Sequence, residues 1–107
     1  MADKTFTPLS NTEIAAFCSQ TAMILRSGIS SIEGISIMLE DSQNAGEKEL
    51  LSAVNDTLMQ TGNLTQALED THAHPDYMIS MVRIGEQTGR LDDVMDSLAV
   101  YYEKEDS

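Results

Sequence analysis

Apolar residues recur at three- and four-residue steps along almost the whole chain, and most of these runs open on a capping residue or close on a glycine. A chain patterned this way folds into short helices. Alternating β-branched runs are scarce, and the two prolines, Pro8 and Pro75, both stand just ahead of a helical run, where a missing amide is tolerated. With 107 residues there is length for one domain. Links of about two to six residues force sequence neighbours to pack mostly antiparallel. The expected fold class is all-α, a compact antiparallel bundle of six short helices.

Residues 1–10 read as a flexible N-terminal arm and residues 11–107 as a single helical domain. Ser10 with Glu13 forms a capping-box pattern. Behind it Ile14, Phe17, Thr21, Ile24 and Leu25 give one apolar face to a helix from residue 11 to 27, and Gly28 stops it in the left-handed conformation that a helix end favours. Ser30 or Ser31 caps a second helix to Asp41. Its Ile32, Ile35, Ile37, Met38 and Leu39 fall on more than one face, which predicts a central helix with neighbours on both sides. A third helix runs from Glu47 to Thr61 with Leu50, Leu51, Val54 and Leu58 inward, and Gly62 ends it. Asn63 and Gln66 cap a short fourth helix, Leu64 to Asp70. Pro75 is expected as the first residue of a fifth helix that runs to Thr88, buries Tyr77, Met78, Met81, Val82 and Ile84, and stops at Gly89. The sixth starts near Leu91, with Asp92 and Asp93 favoured by the helix dipole and Leu91, Val94, Met95, Leu98, Tyr101 and Tyr102 as its seam. No stop signal follows Tyr102, so the natural polypeptide is expected to continue past Ser107.

The charge balance narrows the partners. Eighteen acids face six bases, a formal net charge of −12. Nucleic acid and anionic lipid need clustered Lys and Arg, and no cluster exists. Residues 54–107 alone hold eleven acids and three bases, which fits a basic protein partner or a divalent cation. The lone Cys18 allows no intramolecular disulfide, in keeping with a reducing, cytoplasmic setting. No signal peptide and no apolar run of about 20 residues is present, so any membrane contact is expected only through segments absent from this chain.

Catalytic patterns are missing. There is no phosphate loop, no Gly-x-Ser-x-Gly elbow and no cysteine pair spaced for zinc. Cys18 has no basic neighbour to activate it and reads as a small buried hydrophobe. His72 and His74, with Glu69, Asp70 or Asp76, offer metal-binding atoms, yet this spacing before a helix-starting proline reads as a polar loop. Asp92, Asp93 and Asp96 lack the alternation of a calcium loop and read as a solvated helix face. Asp96-Ser97-Leu98 matches the triplet that carries the prosthetic group of acyl carrier proteins, but it lies inside a helix rather than at its start. The chain is expected not to be an enzyme. No residue is assigned a catalytic, cofactor-binding or metal-ligating role.

The strongest local signal is Ile84-Gly85-Glu86-Gln87-Thr88-Gly89-Arg90-Leu91-Asp92. A glycine inside a helix costs about 1 kcal/mol against alanine, so Gly85 predicts a close backbone approach. Glu86 stands in a last turn, where the dipole disfavours negative charge. Two locally unfavourable choices side by side call for a tertiary reason. The hypothesis is that Glu86 accepts hydrogen bonds from a neighbouring helix N-terminus or an arginine, locking the turn between the fifth and sixth helices. A thermal midpoint unchanged by Glu86→Gln would remove it.

Together with Ile14-Ala-Ala-Phe-Cys-Ser-Gln20, Leu25-Arg-Ser-Gly28-Ile29, Gly62-Asn-Leu-Thr-Gln-Ala-Leu68, Pro75-Asp-Tyr-Met-Ile-Ser-Met81 and Leu98-Ala-Val-Tyr-Tyr-Glu103, this signal resembles one family. It is the cytoplasmic F domain of type II secretion and type IV pilus assembly platform proteins, and the likeness covers residues 12–106. The resemblance implies a non-enzymatic six-helix domain of an inner-membrane protein, often present twice, that pairs as a homodimer. It also implies a role connecting a secretion ATPase to the assembly of a pilin or pseudopilin fibre. Gly28, Gly62, Gly85, Glu86, Thr88 and Gly89 are then architectural motif residues, and Ser107 lies just before a transmembrane helix. The chain lacks the membrane segments and a second copy, and carries His74 where the family often has an apolar residue. The alternative is a free-standing helical adaptor without a membrane role.

Overall fold

The computed structural model describes residues 5–105. Six helices follow one another: α1 (Asn11–Arg26), α2 (Ser31–Asp41), α3 (Ala45–Thr61), α4 (Leu64–Glu69), α5 (Asp76–Thr88) and α6 (Leu91–Glu105). No strand occurs among the described residues, and the all-α bundle is the fold.

Local chemistry sets most helix starts. Ser10 accepts from the Glu13 amide at 3.1 Å while Glu13 Oε1 accepts from the Ser10 amide at 2.8 Å, a complete capping box. Ser30, not Ser31, is the cap of α2, its hydroxyl accepting from the Glu33 amide. Asn44 accepts from the Glu47 amide at 3.0 Å, so α3 begins at Ala45, two residues before the start expected from sequence. Pro75 is the cap of α5 rather than its first residue: the ring holds φ at −65°, but ψ stays extended at 151°.

Packing forms a closed circuit in which each helix touches the next and α6 returns to α1. The α1–α6 pair is the most extensive contact, and Ile14, Cys18, Met95, Leu98 and Tyr102 fill it. Leu58, Leu64, Leu68, Met78 and Val82 extend the core beneath α3, α4 and α5. The expectation of a central α2 is corrected: α2 packs on α1 and α3 through Gly34, Ile35 and Met38, and leaves Ile32 and Ile37 outside. In α5 the inward face is Met78, Ile79, Val82 and Gly85. Tyr77 and Ile84, expected inside, are 49% and 50% exposed. The rotation of α5 that brings Gly85 against α6 turns those two side chains outward.

Where the sequence reads as a loose arm, residues 5–10 are tied to the α4–α5 link. The Phe6 amide donates to Thr71 O and the Leu9 amide to Ala73 O, both at 3.0 Å, and Leu9 packs on the core. Residues 1–4 of that arm lie outside the described residues.

Candidate functional site

Five of the six motif residues, all but Gly28, stand at the joints around α4, α5 and α6. A Cβ built on Gly85 would stand 3.1 Å from Leu91 Cα and 3.1 Å from Val94 Cγ2, so a side chain here would push α6 back by a few tenths of an ångström. Three residues on, the Thr88 hydroxyl donates to Ile84 O at 2.8 Å. Gly89 then takes φ 72°, and its amide and that of Arg90 both donate to Gly85 O. The chain reverses within two residues and α6 begins.

Glu86 points from α5 to the N-terminus of α4. Its Oε2 accepts from the Leu64 amide at 2.7 Å, and its Oε1 accepts from the Thr65 amide at 2.7 Å and from the Thr65 hydroxyl. The Asn63 side chain takes the next amide, Gln66, at 2.9 Å. An isolated six-residue helix does not persist in water, so tertiary contacts hold α4: this carboxylate at its start and the burial of Leu64, Ala67 and Leu68. The partner is a neighbouring helix N-terminus, as the sequence suggested, here the start of α4, twenty-odd residues upstream; the joint it ties is α5 to α4 rather than the α5–α6 turn. Gly62, at φ 67°, turns the chain from α3 into this start. Gly62 and Glu86 line one open cleft of about 400 Å³ with Asn63, Gln66, Arg83 and Gln87. Gly28, at φ 89°, follows α1 and does not line this cleft.

The other candidates separate. His74 Nδ1 lies 3.1 Å from Leu68 O and from the Thr71 hydroxyl, with its ring against Phe17, while His72 is exposed at φ 59°. No group of three or more potential metal ligands forms among the described residues. The acids of α6 meet a guanidinium that sequence reasoning did not single out for them. Arg26 Nε donates to Asp96 Oδ2 at 2.8 Å, and its Nη2 donates to Asp93 Oδ1 at 3.1 Å, with Asp92 3.8 Å away. Arg90 and Arg26 hold the Asp93 carboxyl below its usual range. Asp96-Ser97-Leu98 is therefore part of the α1–α6 contact: Asp96 pairs with Arg26 and Leu98 is buried.

The family model described as type II secretion system (T2SS), protein F, matches residues 17–107. The chain belongs to the type II secretion system protein F family. A type IV pilus assembly protein PilC of Thermus thermophilus is 33% identical over 96 residues, covering 88% of this chain and 23% of the relative. Proteins named type II secretion system protein F from Vibrio cholerae and Pseudomonas aeruginosa are 30% and 29% identical, covering 89% and 79% of this chain and 24% and 21% of their own lengths. This F-family chain thus spans about a quarter of the curated relatives it matches. No helix among its described residues is long and apolar enough to cross a membrane.

Two side chains of this F-family domain have consequences that experiment can check. Burial pushes the Cys18 thiol up to about 12, so no useful thiolate exists near neutrality. Native protein is expected to resist iodoacetamide at mildly alkaline pH, with labelling complete only after denaturation; fast native labelling would contradict the packing. Burial also holds His74 below its ordinary value, opposed by its hydrogen bond to Leu68 O. The unfolded chain then takes up the proton more readily, so the stabilisation is full above about pH 6.5 and is lost as pH falls through the folded value. The thermal midpoint is expected to drop between about pH 7 and pH 5, and His74→Leu is expected to flatten that slope. An unchanged slope would show that His74 does not carry it.

The outer seam of α5 and α6 carries an apolar stripe. Tyr77 and Tyr101 meet with their rings tilted by 45° and centroids 4.9 Å apart, Ile84 lies two turns from Tyr77, and Met81 and Val94, at helical spacing between these positions, are half-buried. Tyr101 is 41% exposed, although the spacing of α6 placed it in the inward seam.

Proposed function

We propose that this F-family domain is a non-enzymatic scaffold module on the cytoplasmic side of an inner-membrane platform protein. In that role it couples a secretion ATPase to the assembly of pilin or pseudopilin subunits. The reading rests on the family match over residues 17–107, whose relatives are named for type II secretion and type IV pilus assembly. The chemistry of the motif supports it. Both oxygens of Glu86 are spent on backbone amides of α4, and Gly85 and Gly89 are spent on closing the α5–α6 joint, so the motif does the work of rigidity. Two copies pair through the Tyr77–Ile84–Tyr101 stripe, since aromatic side chains in an uncovered apolar strip are the usual anchors of an interface. The high negative charge favours a basic surface on the ATPase, which makes that contact sensitive to salt.

The test is capture of the ATPase by the membrane-embedded platform protein carrying this domain, at low and high salt, with and without residues 11–105. Loss of capture on deletion, and weakening at high salt, are the expected results. Capture that survives the deletion would overturn the coupling role. Sedimentation of wild type and Tyr101→Glu tests the pairing separately, with a shift toward monomer in the variant expected.

A further inference from the structure

The groove between α2 and α3 is a second surface with its own chemistry. The Ser36 hydroxyl donates to Asn55 Oδ1 at 3.2 Å and sets the register of the two antiparallel helices. One turn to one side, Ile32 comes level with Met59, and one turn to the other, Leu39 faces Ser52. Met59 is 64% exposed and Ile32 38% exposed, and Leu39 borders an open hollow of about 430 Å³ with Ser52, Ala53, Asp56, Glu49 and the base Lys48. Glu33 and Glu40 stand two turns apart on the outer side of α2, and Glu49 and Asp56 stand two turns apart on the outer side of α3, all four exposed. The two helices together hold six acids and one base, Lys48.

We propose that this groove docks a basic amphipathic helix of a partner protein. A floor in which Ile32, Leu39 and Met59 alternate with Ser36, Ser52 and Asn55, between two carboxylate rims, takes a helix ridge of apolar residues flanked on both sides by Lys or Arg, the helix-in-groove mode of recognition. Charge selects this occupant over the others. A second copy would bring carboxylates against carboxylates, and anionic lipid or nucleic acid would be repelled by the same rims. The proposal names the partner chemistry of the scaffold and rests on that reading only for its biological setting.

The test titrates the isotopically labelled chain with a synthetic helical peptide bearing leucines on one face and lysines on both flanks, followed by amide chemical shifts. Shifts confined to α2 and α3 around Ile32, Leu39, Ser52 and Met59 are expected. Affinity is expected to fall at least about fivefold in Asp56→Lys and in Met59→Ser, and less than about twofold in Glu103→Lys, which changes charge equally on α6. Met59→Ser keeps the test decisive should Asp56→Lys disturb folding. Equal weakening by Glu103→Lys, shifts on the α5–α6 stripe, no binding, or equal binding of a peptide with glutamates for lysines would overturn the proposal. Should the groove fail while ATPase capture still requires the domain, the scaffold reading stands and only this surface is wrong.

Discussion

Gly85→Val is expected to be among the most damaging single substitutions in this domain, lowering stability by about 2–4 kcal/mol and the thermal midpoint by about 10 °C or more. The reason is the identity of the atom it meets. A Cβ at Gly85 would lie 3.1 Å from Leu91 Cα, which is backbone, and 3.2 Å from Val94 Cβ, which is fixed to it. Neither can rotate away. The α5–α6 turn holds only Gly89 and Arg90, so the helices cannot slide apart without breaking the bonds to Gly85 O. Gly34 makes the comparison useful, because a Cβ there meets a side-chain methyl, Ile24 Cγ2, at 3.0 Å, and no backbone atom of a neighbouring helix within 4 Å. Gly34→Ala is therefore expected to cost less than Gly85→Val. For Gly85→Ala, a helix-propensity gain of about 1 kcal/mol offsets part of the clash, so the alanine variant should fall between wild type and valine. A valine variant that melts like wild type would mean that α5 and α6 do not approach as described.

The parts of this fold that were legible from sequence are those whose cause is local. Ser10 with Glu13 and Asn63 with Gln66 announce helix starts because both members of each pair sit within one turn. Gly85 and Glu86 stood out because each is unfavourable where it is unless something distant repays it. The identity of that distant partner was not legible: nothing in the order of residues says that Leu64 and Thr65, rather than an arginine, face Glu86. Arg26 is the same case, since its meeting with Asp93 and Asp96 exists only once α1 lies along α6. Apolar periodicity failed in a characteristic way. Tyr77, Ile84 and Tyr101 keep helical spacing, as do Ile32 and Leu39, and spacing alone does not separate a stripe that faces the core from one that faces a partner. The errors of rotation in α2 and α5 therefore fall on the two surfaces that carry the interaction proposals. Pro75 differs in kind, because first residue and cap share the same φ and only ψ separates them.

Glu86→Ala is expected to cost about 2–4 kcal/mol, since it strips two backbone amides and one hydroxyl of a charged acceptor at once. Hydrogen bonds to a carboxylate are worth about 1.5–3 kcal/mol each, and water recovers part of that loss because the site is only partly buried. Glu86→Gln keeps one carbonyl oxygen and should lose about half as much. Amide exchange gives the sharper readout. Leu64 and Thr65 should exchange faster in Glu86→Ala than the drop in global stability explains, because α4 has six residues and loses its anchor first. Leu64 and Leu68 are fully buried, so fraying of α4 opens the core and passes on to α5. Unchanged exchange at these two amides would show that Glu86 does not hold α4. The same variant separates architecture from recognition. If Glu86 serves only the fold, then the proposed capture of the ATPase should fall in proportion to the fraction unfolded and recover on cooling. Capture that stays lost while the domain is fully folded would instead make the cleft beside Gly62 and Arg83 a contact surface, with Glu86 as one of its partners.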